Sequence, residues 1–332
     1  MNGIKLEVSA NADYAITQTF IRHGYYPGRA CQPEFTYVNL APEDGVVKRV
    51  GYFSASTVAP YSADRDGAYL ESADGKISLV IIKNGTVHES QAPDAMDMGV
   101  WKNFNVTLFD FLYLGGTSLT WYQILNGQRD FFLRYNHSGN VADTIFNHPS
   151  QPLRAEVRST GGAGDMTFVC GNVNTMGAGI DGFGTPANID SGNAYISCNS
   201  AGTEYPLLGV KKNDPTADFV IKGVSVSASA GAAEILRWRL LLNPTLSSAL
   251  SYSAVTNSYI DKAAGDGTIT VTSEGYCIAA GNGGARSGNT ANISRALRLG
   301  MSIAGVYDEI ILAVTPLDST QKYHAVLDGE IV

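Results

Sequence analysis

Hairpin-type turns that recur along the chain constrain its fold more than any other feature of the sequence. Asp74-Gly75, Asn84-Gly85 and Asn126-Gly127 each separate two apolar or alternating segments, and such dipeptides suit the tight turns that join antiparallel strands. Glycine and aromatic residues are frequent, with 36 Gly, 17 Tyr and 12 Phe, which is typical of strands and turns. The sequence therefore predicts an all-β protein.

The length of the chain predicts two domains in tandem. It has 332 residues, and single hydrophobic cores stop growing at about 250–300 residues. Residues 172–193 are rich in Gly, Asn and Asp and show little apolar periodicity, which is typical of a connection. We expect a β-sandwich of the jelly-roll kind over residues 1–175 and a second one over residues 176–332.

One strand of the first domain shows complete alternation. Leu153, Ala155 and Val157 are apolar, whereas Arg154, Glu156 and Arg158 between them are charged. Successive side chains of a strand point to opposite faces of its sheet. We expect the three apolar side chains to lie in the core and the three charged ones to face solvent or a partner subunit, so the charged residues are candidate interface residues.

The charge and the apolar runs of the chain argue against two classes of partner. The net charge is −8, from 23 Lys+Arg and 31 Asp+Glu, and neither half of the chain is basic. A nucleic-acid partner is therefore not expected, because binding to phosphates uses Lys/Arg-rich patches. No apolar run has the length of a membrane helix or a signal peptide, so we expect synthesis in a cytoplasm and no membrane partner.

The cysteines do not form a metal-binding or redox motif. Cys31, Cys170, Cys198 and Cys277 lie far apart, and no Cys-x-x-Cys pair occurs. Free cysteine packs as a small apolar residue, so we expect four buried thiols. The sequence indicates no metal and no cofactor.

Residues 106–162 contain a predicted buried meander, Asn-His-Ser-Gly-Asn at residues 136–140 and Pro-Ser-Gln-Pro-Leu-Arg-Ala-Glu at residues 149–156. This segment resembles a recurring family of tailed-phage virion structural proteins, which include fibre, capsid-associated and tail-associated members. Weaker resemblance extends to the family's earlier strands at residues 26–29, 49–53 and 67–71, and to its second domain at residues 236–240, 242–245 and 308–314. The resemblance implies a non-enzymatic virion protein that assembles with capsid, collar or tail subunits and with copies of itself.

Aromatic residues in turn-rich segments are further candidates for an interface. Tyr25, Tyr26 and Trp101 lie in such segments, and Tyr and Trp are enriched at protein interfaces. Trp121 lies in a strongly apolar strand, and we expect it in the core. The same exposed aromatics suit a receptor- or glycan-binding adhesion module of a phage fibre, with a host surface glycan as ligand, which is the alternative function.

The remaining polar groups fit no catalytic arrangement. His137 and His148 have no compact ligand spacing, and the neighbours Asp308 and Glu309 are expected on opposite faces of one strand. The Gly-rich segment at residues 281–288 lacks the Lys-Ser/Thr ending of a phosphate loop. We expect a mobile surface loop or a subunit-binding arm there, and no catalytic residue. A polysaccharide-degrading enzyme is a more distant alternative.

Overall fold

The structure is a computed structural model, and it divides the chain into two compact units. It describes residues 3–24, 29–92, 99–112, 118–125, 127–137, 144–176, 185–214, 219–229, 235–256, 258–284, 289–317 and 321–331. The contacts separate Met1–Gly179 from Ile180–Val332, and the expected boundary after residue 175 lies near this division. The described residues contain strands, turns and one short 3-10 helix, so the all-β prediction is confirmed. No helix among them is long and apolar enough to cross a membrane.

The first unit consists of two six-stranded antiparallel sheets. Sheet 1 has the order β1 (Ile4–Val8), β12 (Gly164–Met176), β3 (Ala30–Val38), β8 (Phe104–Leu112), β9 (Ser118–Leu125) and β10 (Gln128–Asn136). Sheet 2 has the order β2 (Tyr14–Gln18), β11 (Leu153–Ser159), β4 (Val46–Ser54), β5 (Asp66–Ala73), β6 (Lys76–Lys83) and β7 (Thr86–Gln91). The 3-10 helix Val100–Lys102 precedes β8.

Two of the three predicted hairpin turns connect neighbouring strands of this unit, and Asn126 of the third lies outside the described residues. Asp74 and Gly75 join β5 to β6, and both have positive φ angles, 51° and 77°. Asn84 and Gly85 join β6 to β7 with φ angles of 45° and 79°. Positive φ at both central residues is what a type I′ turn requires, and Asn, Asp and Gly tolerate it best.

The second unit also has two main sheets. Sheet 3 has the order β13 (Thr185–Asp190), β25 (Gln321–Ile331), β16 (Phe219–Ala228) and β23 (Asn289–Arg298), and β14 (Ile196–Cys198) also pairs with β25. Sheet 4 has the order β19 (Ser253–Ala254), β20 (Ile260–Ala264), β15 (Tyr205–Lys212), β24 (Glu309–Pro316), β17 (Ile235–Leu242) and β22 (Tyr276–Gly284). β18 (Thr245–Leu246) pairs with β21 (Val271–Ser273).

Both units have the strand connectivity of a jelly roll. In the first unit the order β1-β12-β3-β8 belongs to one sheet and β2-β11-β4-β5 to the other. In the second unit the corresponding orders are β13-β25-β16-β23 and β15-β24-β17-β22. In each unit the first strand therefore pairs with the last, and the next long strand, β2 in the first unit and β15 in the second, pairs with the next to last, as in a double Greek key. The first unit adds β6 and β7 to one sheet and β9 and β10 to the other.

Each unit has its own apolar core between its two sheets. In the first unit the core includes Phe35, Tyr37 and Trp121, each at most 1% exposed, so the prediction for Trp121 is confirmed. In the second unit Phe219 and Trp238 belong to the corresponding core. A smaller apolar cluster covers the opposite face of sheet 4, where segment 245–273 contributes Leu250.

Two Gly-rich or polar segments that were expected to be loops are partly strands. β12 continues to Met176 along β3, and β13 begins at Thr185, while residues 177–184 lie outside the described part. β22 includes residues 281–284 of the expected surface loop, and residues 285–288 lie outside the described residues. For β22 the physical reason is packing. A Cβ on Gly281 would lie 2.6 Å from Cζ2 of Trp238, so only glycine lets the strand pass the indole.

The four cysteines are free thiols, but only two of them are buried. Cys31 and Cys198 are 3% and 0% exposed, whereas Cys170 and Cys277 are exposed. The prediction of four buried thiols is therefore wrong for Cys170 and Cys277, which lie on β12 and β22 with side chains outside the cores.

Thiol labelling of the folded protein should distinguish the two pairs. Burial raises the pKa of Cys31 and of Cys198 to about 12, and only exposed thiolates react readily. We expect iodoacetamide to modify Cys170 and Cys277 first, as read by peptide mass spectrometry. Modification of Cys31 at the same rate, without unfolding, would contradict the structure.

Candidate functional site

The structure describes one of the three aromatic candidates for the interface, and it places that residue in the core. Trp101 is 2% exposed, and its ring stacks on Tyr37 with centroids 6.4 Å apart and an angle of 7°. It also lies 6.0 Å from the ring of Trp121. The prediction of an exposed Trp101 is wrong, because the 3-10 helix turns the indole inward. Tyr25 and Tyr26 lie outside the described residues.

The charged residues of β11 do not all face solvent. Leu153, Ala155 and Val157 lie in the core, as predicted, and Arg158 is exposed. The other two charged residues are buried on the opposite face of sheet 2, with Arg154 1% and Glu156 0% exposed. The prediction that Arg154 and Glu156 form an exposed interface is therefore wrong.

Glu156 is the centre of a buried charge cluster, which comprises Glu156, Arg154, Arg49, Arg65 and Tyr14. Its carboxylate accepts hydrogen bonds from Arg154 Nε at 2.7 Å, from Arg65 at 3.1 Å and from the Tyr14 hydroxyl at 2.6 Å. Arg49 lies 3.4 Å from the same carboxylate. The donors come from β2, β4, the connection between β4 and β5, and β11, so the cluster connects four segments of the first unit.

Arg154 also connects the cluster to the segment that covers it. Its guanidinium donates to the Tyr61 carbonyl at 2.6 Å and to Gln18 at 2.8 Å, and it lies 5.7 Å from the centre of the Phe53 ring. Tyr61 and Arg65 belong to the connection between β4 and β5. This connection therefore covers Arg154 and Glu156 on the outer face of sheet 2, whereas the Arg49 and Arg65 side chains remain 11% and 14% exposed.

The charge cluster keeps Glu156 ionised. Burial by itself would raise the pKa of Glu156, but Arg154, Arg65 and Arg49 and the Tyr14 hydrogen bond outweigh it, so the pKa lies below its ordinary value. One carboxylate oxygen accepts from Tyr14, Arg65 and Arg49 and the other from Arg154, and Glu156 is 0% exposed, so the carboxylate is not open to a ligand. The cluster supports the fold of the first unit, and its geometry does not provide a site for acid-base chemistry.

An aromatic and basic strip lies on the outer face of sheet 1, with Arg129 and Phe131 exposed and Tyr122 half-buried. We name Tyr122, Arg129 and Phe131 the β9–β10 strip. Trp121 points into the core, so Tyr122 beside it points outward, and Phe131 lies opposite Tyr122 in the register of β10. Phe131 is 59% exposed. The rings of Tyr122 and Phe131 are 6.2 Å apart, and Arg129 lies 5.4 Å from the centre of the Tyr122 ring.

The strip is at the end of its sheet. β10 is the last strand in the described order of sheet 1, and its outer edge is therefore available for a further strand. The sequence contained a signal for this strip, because Phe131 and Arg129 alternate on a strand with Asp130 between them. Only Trp121 of this meander was assigned a position from its sequence, in the core, and the alternation on the next strand was not used.

The second unit contains a cavity on the outer face of sheet 4, which we name the β15–β24 cavity. Its volume is about 500 Å³. The apolar wall consists of Pro244, Leu246, Ala249 and Leu250. The polar wall consists of Lys211, Thr245, Tyr252, Tyr307 and Glu309. Sequence reasoning missed this site, because its residues come from segments that are far apart in the chain.

Three side chains of the polar wall contact one another. The Tyr252 hydroxyl donates a hydrogen bond to the Glu309 carboxylate, and the Lys211 ammonium lies 4.3 Å from the centre of the Tyr252 ring. Burial, followed by the neighbouring Glu309 carboxylate, raises the pKa of Tyr252. Tyr252 therefore stays protonated and remains a donor to Glu309.

Two residues fix the position of this wall. Gly209 lies beneath Tyr252, and a Cβ at residue 209 would collide with the Tyr252 hydroxyl and lie 2.9 Å from Leu250 Cδ1. Asn243, with a positive φ of 49°, accepts from the backbone N–H of Glu309 and donates to Asp308, both at 2.8 Å. Asn243 thus attaches the turn after β17 to the beginning of β24.

The other polar candidates have local hydrogen bonds. His137 is buried, with Nδ1 3.0 Å from the Tyr135 hydroxyl. His148 Nε2 lies 2.8 Å from Asn147 Nδ2. Asp308 accepts from the backbone N–H of Gly300 at 2.8 Å. Within the described part of the chain, no group of three or more His, Cys, Asp or Glu could hold a metal ion.

Comparisons with known proteins show only distant structural similarity. No family model and no curated protein matches the sequence. A legume lectin-like domain from Entamoeba histolytica has a TM-score of 0.36 at 8% identity, over 53% of this chain and 85% of that one. A Bacillus licheniformis β-glucanase has a TM-score of 0.31 at 11% identity, over 54% and 94%. The LG4-5 domains of mouse laminin α1 have a TM-score of 0.25 at 9% identity, over 98% and 88%.

Proposed function

We propose that this chain is a non-enzymatic structural protein of a tailed-phage virion, which acts by assembly with copies of itself and with capsid, collar or tail subunits. The observation that carries the proposal is the exposed β9–β10 strip at the end of sheet 1. The strip lies within residues 106–162, the segment whose sequence resembles phage virion proteins. The proposal requires no cofactor.

The chemistry of the strip suits a protein partner. Aromatic residues and Arg are enriched at protein interfaces, and truncations that weaken binding most involve large side chains that become fully buried. Phe131 contributes a ring that is 59% exposed in the single chain, and burying such a ring against a partner is favourable. Arg129 is held over Tyr122, so little side-chain freedom would be lost on assembly.

Replacing Phe131 should weaken assembly without unfolding the first unit. For Phe131→Ser we expect incorporation into particles to fall by roughly thirtyfold or more, the size of an interface hot spot. The free energy of unfolding should change by about 0.5 kcal/mol or less, because the ring is exposed. Incorporation is measured by quantitative immunoblotting of purified particles, and stability by urea denaturation.

Tyr276→Ser is the matched control. Tyr276 is 77% exposed on β22 in the second unit, outside the strip, so its replacement should leave incorporation unchanged. Labelled antibodies on intact particles then test the virion location itself. If the protein were absent from particles, or if Phe131→Ser and Tyr276→Ser were incorporated equally well, the assembly proposal would be wrong.

A further inference from the structure

The β15–β24 cavity has the construction of a small-molecule site, which the assembly function does not use. Its volume of about 500 Å³ lies within the roughly 300–1,000 Å³ of ligand pockets. Apolar side chains cover one side, and a few polar groups converge from the other. This combination is usual where a protein binds a compact organic ligand.

The polar groups of the cavity are supported from below. Gly209 leaves the space that the Tyr252 hydroxyl occupies, and the Tyr252 hydroxyl holds the Glu309 carboxylate. Asn243 fixes the backbone of Glu309, because its side-chain oxygen accepts from the Glu309 N–H and its backbone N–H donates to the Glu309 carbonyl, both at 2.8 Å. The carboxylate is therefore preorganised, and a ligand would not have to order it on binding.

Two charged groups of the wall have unused hydrogen-bonding capacity. Among the described residues, the second carboxylate oxygen of Glu309 accepts no hydrogen bond. Over the same part of the chain, the Lys211 ammonium contacts the Tyr252 ring and forms no ion pair. Lys211 and Glu309 thus line one cavity without neutralising each other directly. A ligand that bridges them must accept from the ammonium and donate to the carboxylate.

Neighbouring hydroxyl groups satisfy both requirements, because each hydroxyl is a donor and an acceptor. Lys211 and Glu309 give the wall one charge of each sign, so a ligand with a net charge of either sign would face one like charge. The C–H faces of a sugar ring would pack on the apolar wall of Pro244, Leu246 and Leu250. We propose that the β15–β24 cavity binds a neutral saccharide, with Glu309 and Lys211 holding ring hydroxyls.

The proposal is tested with the full chain and a panel of neutral sugars: glucose, galactose, mannose, N-acetylglucosamine, cellobiose and lactose. Glucuronate and N-acetylneuraminate are the acidic counterparts. Saturation-transfer NMR detects binding, and titration gives the dissociation constant. We expect at least one neutral sugar to bind, and we expect Glu309→Gln and Lys211→Met each to weaken it roughly ten- to hundredfold, the effect of losing a hydrogen bond to a charged group.

Two further variants complete the test. Ala249 is exposed and lines the cavity, so Ala249→Trp should fill the cavity and abolish binding without disturbing the polar wall. Lys222 lies on sheet 3, where it pairs with Glu330, so Lys222→Met should bind like the original protein. Circular dichroism and thermal melting confirm that each variant is folded. The proposal is overturned if no neutral sugar binds, if only the acidic sugars bind, or if all the variants bind equally well.

Discussion

Glu156→Ala should lower the free energy of unfolding of the first unit by about 3–5 kcal/mol, the cost of removing one partner from a buried ion cluster. Glu156 is 0% exposed and accepts from Arg154, Arg65 and Tyr14. Without it, the buried guanidinium groups would lose their shared counter-charge, and Arg154 is itself only 1% exposed. Urea denaturation followed by tryptophan fluorescence measures the change, since Trp101 and Trp121 both lie in this unit.

Arg158→Ala is the matched control for this experiment. Arg158 is two residues further along the same strand and is exposed, so its loss should change the free energy of unfolding by about 0.5 kcal/mol or less. A similar, small effect for both variants would show that the cluster around Glu156 is not closed as described.

The stabilisation by Glu156 should depend on pH in a defined direction. Its pKa in the folded protein lies below the ordinary value of 4.5, so the unfolded chain binds the proton more readily. The contribution is therefore fully present above the unfolded pKa and is lost as pH falls through the lower folded pKa. The stability difference between the original protein and Glu156→Gln should shrink between neutral pH and pH values well below 4.5.

Trp101→Ala should also lower the free energy of unfolding of the first unit, by about 3–5 kcal/mol, as expected for deleting a buried indole. Trp101 is 2% exposed and packs against Tyr37, Trp121 and Phe132. The cavity left behind would be bordered by rigid rings, which collapse poorly into empty space. The measurement is the urea midpoint, with thermal melting as a second readout.

Phe131→Ala provides the comparison for Trp101→Ala. Both are aromatic residues of the first unit, but Phe131 is 59% exposed. We expect the stability of Phe131→Ala to stay close to that of the original protein, while its assembly is impaired. If Trp101→Ala were as stable as Phe131→Ala, Trp101 would belong to the surface, and the sequence-based interpretation of an exposed indole would be restored.

Local pattern determined the secondary structure of much of this chain. Asp74-Gly75 and Asn84-Gly85 occupy the turns where they were predicted, because only residues that tolerate positive φ fit a type I′ turn. Leu153, Ala155 and Val157 lie in the core as predicted, because a shift of one residue would have placed charged side chains there. The all-β class followed from many such local signals.

Tertiary contacts decided which side chains outside the predicted core positions are buried. Alternation placed Arg154 and Glu156 outside the core correctly, but it carries no information about the connection between β4 and β5 that covers them. Trp101 was misjudged for a similar reason, since a turn-rich segment does not reveal which way its one large side chain points. Burial on an outer face depends on segments distant in sequence.

The candidate sites divide in the same way. The alternation of Arg129 and Phe131 on β10 is a local pattern, so the sequence by itself could place both side chains on one face of a strand. The β15–β24 cavity instead brings together Lys211, Tyr252 and Glu309 from β15, the segment after β18 and β24. These three residues lie close together because β15 pairs with β24 in sheet 4 and the segment with Leu250 packs against that sheet. Pairing between strands that are distant in sequence is set by the whole jelly roll and not by neighbouring residues.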